Sequence, residues 1–433
     1  MPTAYPAAHD RAASLEGPGA SARAEARVGL YVHVPFCAVR CAYCDFSSGT
    51  LSATAVERYL AGMEREAAWR APQAEGVAFT SVFFGGGTPS AFSGRQFARL
   101  WRALRSHVTI APGAEITLEA NPESVRPALL DAWAAAGVNR LSMGAQSFDP
   151  QELSRLGRIH DAARPGAAFA LARAHGFRRL SLDLMFGFPG HTPARFAATL
   201  ERALALAPEH LSTYCFIPEA GTPLGDEVLR GAAGLPDPGQ QADLYASLCE
   251  RLAGGGFGIY ETSNFCRPGA EARHNLVYWL RRDYLGLGPS AHGLWRGARY
   301  GNHYGMGRWA ASLEADRACD TVEPESARSR ADEIVMLGLR LATGLAAGDH
   351  PPARWGEVTR RYRCAFRDAL ATGRLERTAG GVRVPRRHRF LADDVIAWLM
   401  AAADRDPSTR RDGRVAARDA RAAFDSPATA SLT

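Results

Sequence analysis

Six short apolar runs recur along the first half of this chain, at 29–34, 80–84, 116–120, 140–144, 180–185 and 211–217. Ala- and Leu-rich stretches with helical spacing lie between them, at 54–70, 93–106, 125–136, 163–176 and 193–206, and a further one spans 238–254. Apolar runs of this length, rich in β-branched and aromatic residues, predict buried strands. Strands alternating with helices predict βαβ units on a parallel sheet. Periodicity alone does not separate an open (β/α)6 barrel from a doubly wound sheet. A second unit starts near residue 320. There, helices at 328–341 and 355–371, a hairpin turning at Gly380-Gly381, and a helix at 392–402 predict a small winged-helix-like α+β module.

Directly after the first predicted strand stand Cys37, Cys41 and Cys44, spaced C-x3-C-x2-C. Three thiolates on one tight loop suit three irons of a cubane [4Fe–4S] cluster and leave the fourth iron open to a small molecule. Such clusters normally take four Cys ligands. A run that stops at three, with Asp45 and Phe46 following Cys44, points to reactivity rather than storage. The competing readings are a zinc site or plain buried thiols. Zinc sites usually carry paired C-x2-C units, whereas Cys215, Cys249, Cys266, Cys319 and Cys364 are scattered singly.

More polar residues gather at the ends of the predicted strands. Gly85-Gly86-Gly87-Thr88-Pro89-Ser90 follows the second, and glycines let backbone approach a ligand closely. A Walker A phosphate loop is excluded, because the chain has no lysine. Glu119 ends the third strand, Gln146 the fourth, and Asp183 lies in the fifth; Arg158 sits in Leu156-Gly157-Arg158-Ile159-His160. Carboxylates and an amide at successive strand ends suit ribose hydroxyls and an ammonium. Arg158 suits a carboxylate through a charge-assisted fork. Active sites of barrels sit at this end of the strands.

The cysteine spacing, with Tyr43 between the second and third thiols, resembles that of the radical S-adenosylmethionine (SAM) superfamily. The resemblance resolves the fold ambiguity. It implies a partial (β/α)6 TIM-type barrel over 27–255, an extension over 256–319 and the winged-helix-like domain over 320–403. Tyr31-Val-His33-Val-Pro35-Phe36-Cys37, Glu-Ala-Asn-Pro, Gly-Ala-Gln-Ser-Phe and Leu-Gly-Arg-Ile-His narrow it to one group. That group holds oxygen-independent coproporphyrinogen III oxidase and its relative, the heme chaperone family HemW. It implies Cys37, Cys41 and Cys44 as cluster ligands, and Tyr31, Gly86, Gly87, Thr88, Glu119, Gln146, Arg158 and Asp183 as SAM-site positions.

The oxidase carries a further Cys two residues after the third ligand, where this chain has Phe46. The chaperone branch has Cys-Asp-Phe there, and a His-Asn-x-x-Tyr-Trp signature that His274-Asn275-Leu276-Val277-Tyr278-Trp279 matches. In that branch the signature is associated with heme. An imidazole is a natural axial ligand for heme iron, and Tyr278 and Trp279 offer rings for stacking on the macrocycle. His292, His303 and Cys266 stay open as alternative ligands. The resemblance implies heme delivery to apo-hemoproteins such as respiratory enzymes, a homodimer and contact with the membrane surface. The alternative is oxidative decarboxylation of coproporphyrinogen III.

The formal charge of +6 says little about partners, since the arginines are spread along the chain. Nucleic-acid binding would want a clustered stripe with interleaved aromatics, so none is expected. No run approaches the roughly 18 apolar residues needed to span a bilayer. The first 26 residues lack the apolar core of a signal peptide. Unpaired cysteines suit a reducing cytoplasm. Composition predicts disorder at both ends, 1–26 and 404–433.

Overall fold

The computed structural model describes residues 20–315 and 319–406. Strands β1 (Gly29–Val34), β2 (Ala78–Gly86), β3 (Thr109–Ala120), β4 (Arg140–Gln146), β5 (Arg179–Phe186) and β6 (His210–Cys215) pair in parallel, in chain order. Short strands extend the sheet on both sides: β7 (Gly258–Ile259), β8 (Asn264–Cys266), β9 (Tyr284–Leu287), β10 (His292–Trp295), β11 (Ala298–Asn302) and β12 (Cys319–Pro324). The full order is β12-β11-β10-β9-β1-β2-β3-β4-β5-β6-β8-β7. β9 runs parallel to β1, so the parallel layer gains a strand that the pattern of six βαβ units did not predict.

The pleat sorts each strand into two faces. In β5, Leu180, Leu182 and Leu184 are fully buried in the apolar core, together with Phe196 and Leu200 of helix Pro193–Ala205. Ser181 and Asp183 point the other way. The same alternation places Thr117, Glu119 and Ser142 beside them, around a chamber of about 50 Å³ lined by residues of β2 to β6. Strands this far apart in the sheet can share one chamber only if the sheet curls around it, as in a partial barrel. Helices cover the outer face. Ser93 and Gln96 form a capping box on helix Gly94–Arg105, as do Asp237 and Gln240 on Pro238–Gly254, fixing where each begins.

Helix Arg273–Trp279 closes the floor of the chamber, which Ala272 and Asn275 also line. A buried ion pair anchors it. Arg140 Nε meets Glu115 Oε2 at 2.9 Å, with both side chains at most 3% exposed. Arg140 also donates to the carbonyls of Ala270 and Glu271, and Glu115 accepts the backbone N–H of His274.

The C-terminal unit has a core of its own, with Ile334, Val358, Tyr362 and Leu399 at its centre. Helices Ala327–Gly338, Pro352–Ala371 and Ala392–Arg405 pack around a three-stranded antiparallel sheet, in which Gly381–Arg383 lies between Leu345–Ala346 and Glu376–Arg377. This is a winged-helix-like layout. The expected disorder through residue 26 fails at its end: Ala20–Glu25 is helical, Ala26 is buried, and Arg23 pairs with Asp349 and donates to Thr343. Residues 404 and 405 likewise belong to the last helix. The expectations for 1–19 and 407–433 lie outside the described residues. Among those described, no helix is long and apolar enough to cross a membrane.

Candidate cofactor site

The cysteine loop leaves β1 and is held from several sides. Phe36–Cys37 pairs in parallel with Gly49–Thr50. Ala42 donates its N–H to the Leu156 carbonyl at 3.1 Å and accepts from Leu224 N–H at 2.8 Å. Gly157 has φ +69°, and a Cβ there would stand 2.9 Å from Ala42 N, so the close approach of these two loops needs glycine. At the end of β2, a Cβ on Gly87 would meet the Phe36 and Val34 backbone within 3 Å. The glycine run thus lets β2 tuck against the base of the cysteine loop.

Ten of the expected site residues line one cavity of about 360 Å³: Cys37, Cys41, Cys44, Gly86, Gly87, Thr88, Glu119, Gln146, Arg158 and Asp183. Thr88 Oγ1 donates toward Cys37 Sγ at 3.4 Å, and Arg158 Nη1 toward Cys41 Sγ at 3.3 Å. The other Arg158 nitrogen, Nη2, donates to Asn121 Oδ1 at 2.7 Å and the Gly144 carbonyl at 2.8 Å, while its buried Nε has no partner. Gln146 has φ +65°, a left-handed conformation unusual outside glycine, at a register break in β4. Such strain collects where a side chain must be aimed.

The donor set fits an iron–sulfur cluster better than a single metal ion. Among the described residues no three His, Cys, Asp or Glu side chains converge tightly enough to hold one ion. Three thiols instead border a shared cavity wide enough for a larger group, two of them already approached by donors. Burial pushes the Cys44 thiol up to about 11; iron bound there would act oppositely, by stabilising the thiolate.

Glu119 and Asp183 form the acidic wall. Burial, then the nearby Asp183, raises the Glu119 carboxyl to about 8, although Gly86 N–H donates to it at 3.2 Å. Burial raises Asp183 to about 6, against the hydroxyl of Ser142 at 2.9 Å. A carboxyl raised on folding holds its proton longer in the native state. It therefore reduces stability as pH climbs from the ordinary value, 4.5, to about 8. We expect the ligand-free protein to weaken across that window and Glu119→Gln to remove that part of the slope. Urea midpoints measured through the window test this, and equal slopes in both proteins would refute it.

The remaining expectations separate from this cavity. Tyr31 does not line it; its hydroxyl lies 3.0 Å from His33 Nδ1, and its ring stacks on Phe83. His274 is fully buried beneath the chamber. Its Nδ1 meets Ser81 Oγ at 2.9 Å, its Nε2 meets Tyr278 Oη at 2.8 Å, and its ring stacks on Phe83. With both nitrogens engaged and burial driving the imidazole down to about 3, it is a neutral strut of the floor helix. In this structure, then, neither ring nitrogen of His274 is open to a heme iron. Tyr278 packs edge-on against His274, and Trp279 lies under the Arg340 guanidinium.

Among the further residues that line the cavity, outside the expected set, are Asn121, Ser142 and Tyr214. Asn121 bridges Thr88 and Arg158, and its position in Glu-Ala-Asn-Pro after a strand was a usable signal.

Comparison with known proteins gives a consistent picture. The radical SAM superfamily pattern matches residues 31–203. The heme chaperone HemW of Mycobacterium tuberculosis is 36% identical over 398 residues, spanning 90% of this chain and 99% of that protein. HemW of Bacillus subtilis is 31% identical over 376 residues, spanning 86% and 98%. Among solved structures, coproporphyrinogen III oxidase (HemN) from Escherichia coli, a radical SAM enzyme, superposes with a TM-score of 0.76 at 25% identity, covering 88% of this chain and 92% of that one. This chain thus shares its fold with the oxidase, while its sequence runs nearly end to end with the chaperones: within the radical SAM superfamily, this chain belongs to the HemW family.

Proposed function

We propose that the protein binds heme and passes it to apo-hemoproteins such as respiratory enzymes. In this reading Cys37, Cys41 and Cys44 hold a [4Fe–4S] cluster, and the Gly86–Thr88 turn, Glu119, Gln146, Arg158 and Asp183 bind SAM. The chemistry such a cluster supplies is one-electron reduction. Arg158 orients the site through Cys41, Asn121 and Gly144, and Glu119 and Asp183 offer a cationic ligand two buried carboxyls. The reading places the protein in the reducing cytoplasm, as a homodimer working against the membrane surface.

The observation that carries it is Phe46, which stands 60% exposed on the cavity wall at the position of the oxidase's additional cysteine. Val39 and Tyr214, 50% and 43% exposed, share that wall, and Ile159 and Ile217 are exposed beside Arg158 and just past β6. Exposed apolar groups gathered at a cavity mouth mark a binding face, here one suited to a flat apolar macrocycle. The second reading is coproporphyrinogen III oxidation, favoured by the fold shared with HemN.

An anaerobic assay separates them. Cluster-reconstituted protein is given coproporphyrinogen III, SAM and reductant, and in parallel is titrated with heme and followed by absorbance. We expect saturable heme binding and no protoporphyrinogen. Turnover to protoporphyrinogen would make the protein an oxidase and reduce Phe46 to a neutral replacement.

A further inference from the structure

A second concavity, of about 360 Å³, opens at the amino-terminal end of the barrel strands, away from the cysteine loop. Its wall comes from the segment entering β1, the turn before β9, the turn between β10 and β11, and the start of helix Pro352–Ala371. These four pieces bring Arg27, Arg281, Arg282, Arg296 and Arg354 together around one carboxylate, Asp283. Arg281 is neutralised elsewhere, by Glu325 and Glu333. Four further guanidiniums thus share the basin with one carboxylate, Asp283; Asp349, beside Arg282, is already paired with Arg23. Among the described residues, no ion pair engages the side chains of Arg27, Arg282, Arg296 or Arg354.

The surplus charge acts on its neighbours. Burial, then the fields of Arg282, Arg281, Arg354 and Arg23, drive the His350 imidazole down to about 4. Burial also lowers the Arg282 guanidinium, against the field of Asp349, and Arg23 and Arg354 add to the lowering. The helix beginning at Pro352 is long, and its N-cap, Pro351, makes no side-chain cap bond. Its first N–H groups therefore add positive potential at the same wall. Cations collected by four separate segments repel one another unless an anion joins them.

We propose that this basin binds a multiply charged phosphate group, of the diphosphate kind. Three surplus positive charges match such an anion. Arginine forks suit its oxygens bidentately, and in a chain without lysine arginine is the permanently charged side chain able to hold it. A tetrapyrrole does not suit the basin, because Trp295, its indole, is buried and stacked on Phe79. The phosphate is either free in solution or carried by a lipid headgroup. The proposal is independent of how heme is bound.

The test uses the full chain and Arg296→Gln/Arg354→Gln, with Arg65→Gln/Arg95→Gln as an equal-charge control on other exposed arginines. Thermal melts confirm that each folds. Calorimetric titration with inorganic pyrophosphate at low salt, and co-sedimentation with phosphatidate vesicles, whose phosphomonoester headgroup can carry two charges, are run on all three. A loss of pyrophosphate affinity of at least tenfold in the basin pair alone supports a free phosphate ligand. Unchanged or absent pyrophosphate binding with vesicle binding lost in that pair alone supports a lipid phosphate. If the basin pair matches wild type in both assays, or the control pair loses as much, the proposal is overturned.

Discussion

Cys37→Ala, Cys41→Ala and Cys44→Ala each remove the broad iron–sulfur absorbance and lower bound iron from about four atoms per chain toward none. The expectation rests on geometry. The three thiols border one cavity, and hydroxyl and guanidinium donors already approach two of them. Losing any one leaves two ligands, which do not hold a cubane. Cys215 is the control. It lies close in sequence to the cavity residue Tyr214, yet its Sγ packs against Gly187, and burial raises its thiol to about 11. Cys215→Ala therefore keeps its iron. Iron and acid-labile sulfide analysis after anaerobic reconstitution decides the matter. Iron retained in any of the three variants, or zinc found in place of iron, would refute the assignment.

Arg140→Met should be the most destabilising single change in the barrel, costing about 3–5 kcal/mol. The substitution leaves Glu115 charged and nearly inaccessible, and also strips the Ala270 and Glu271 carbonyls of their donor. Most of that cost is the stranded charge rather than the lost attraction. Adding Glu115→Gln to Arg140→Met should therefore recover part of the stability, a coupling that a double-mutant cycle measures in urea. If the double variant is as unstable as the sum of the singles, the pair is not coupled as described. The cysteine loop is remote from this pair, so iron content should survive in any fraction that stays folded.

Much of the architecture was legible because it is local. Leu-Ser-Leu-Asp-Leu in β5 states its own two faces, and the helices near 54–70, 193–206 and 238–254 end within a residue or two of their predicted limits. The glycine and cysteine runs announced the cavity for the same reason: their spacing is short. What the sequence hid depends on distant partners. Glu66 reads as one more charge on a helix, yet it is fully buried and accepts bonds from Gly288, Asn302 and Trp309. No spacing links residues so far apart. The surroundings of His274 were hidden in part the same way: Ser81, far away, and Tyr278, a helical turn along, engage its two ring nitrogens. β9 was hidden because four residues are too few to show a period.

The floor helix also bears on how cargo leaves. With only about 50 Å³ beneath the site cavity, a tetrapyrrole has no room to sink between the strands. On the proposed reading it rests at the cavity mouth, one edge against the exposed Phe46 and Tyr214 and the other toward solvent. Cargo held by one edge can be engaged by an acceptor before its first contacts break. Transfer then becomes an exchange of ligands within a ternary encounter, so affinity for heme need not limit the rate of delivery, and heme need never pass free through water.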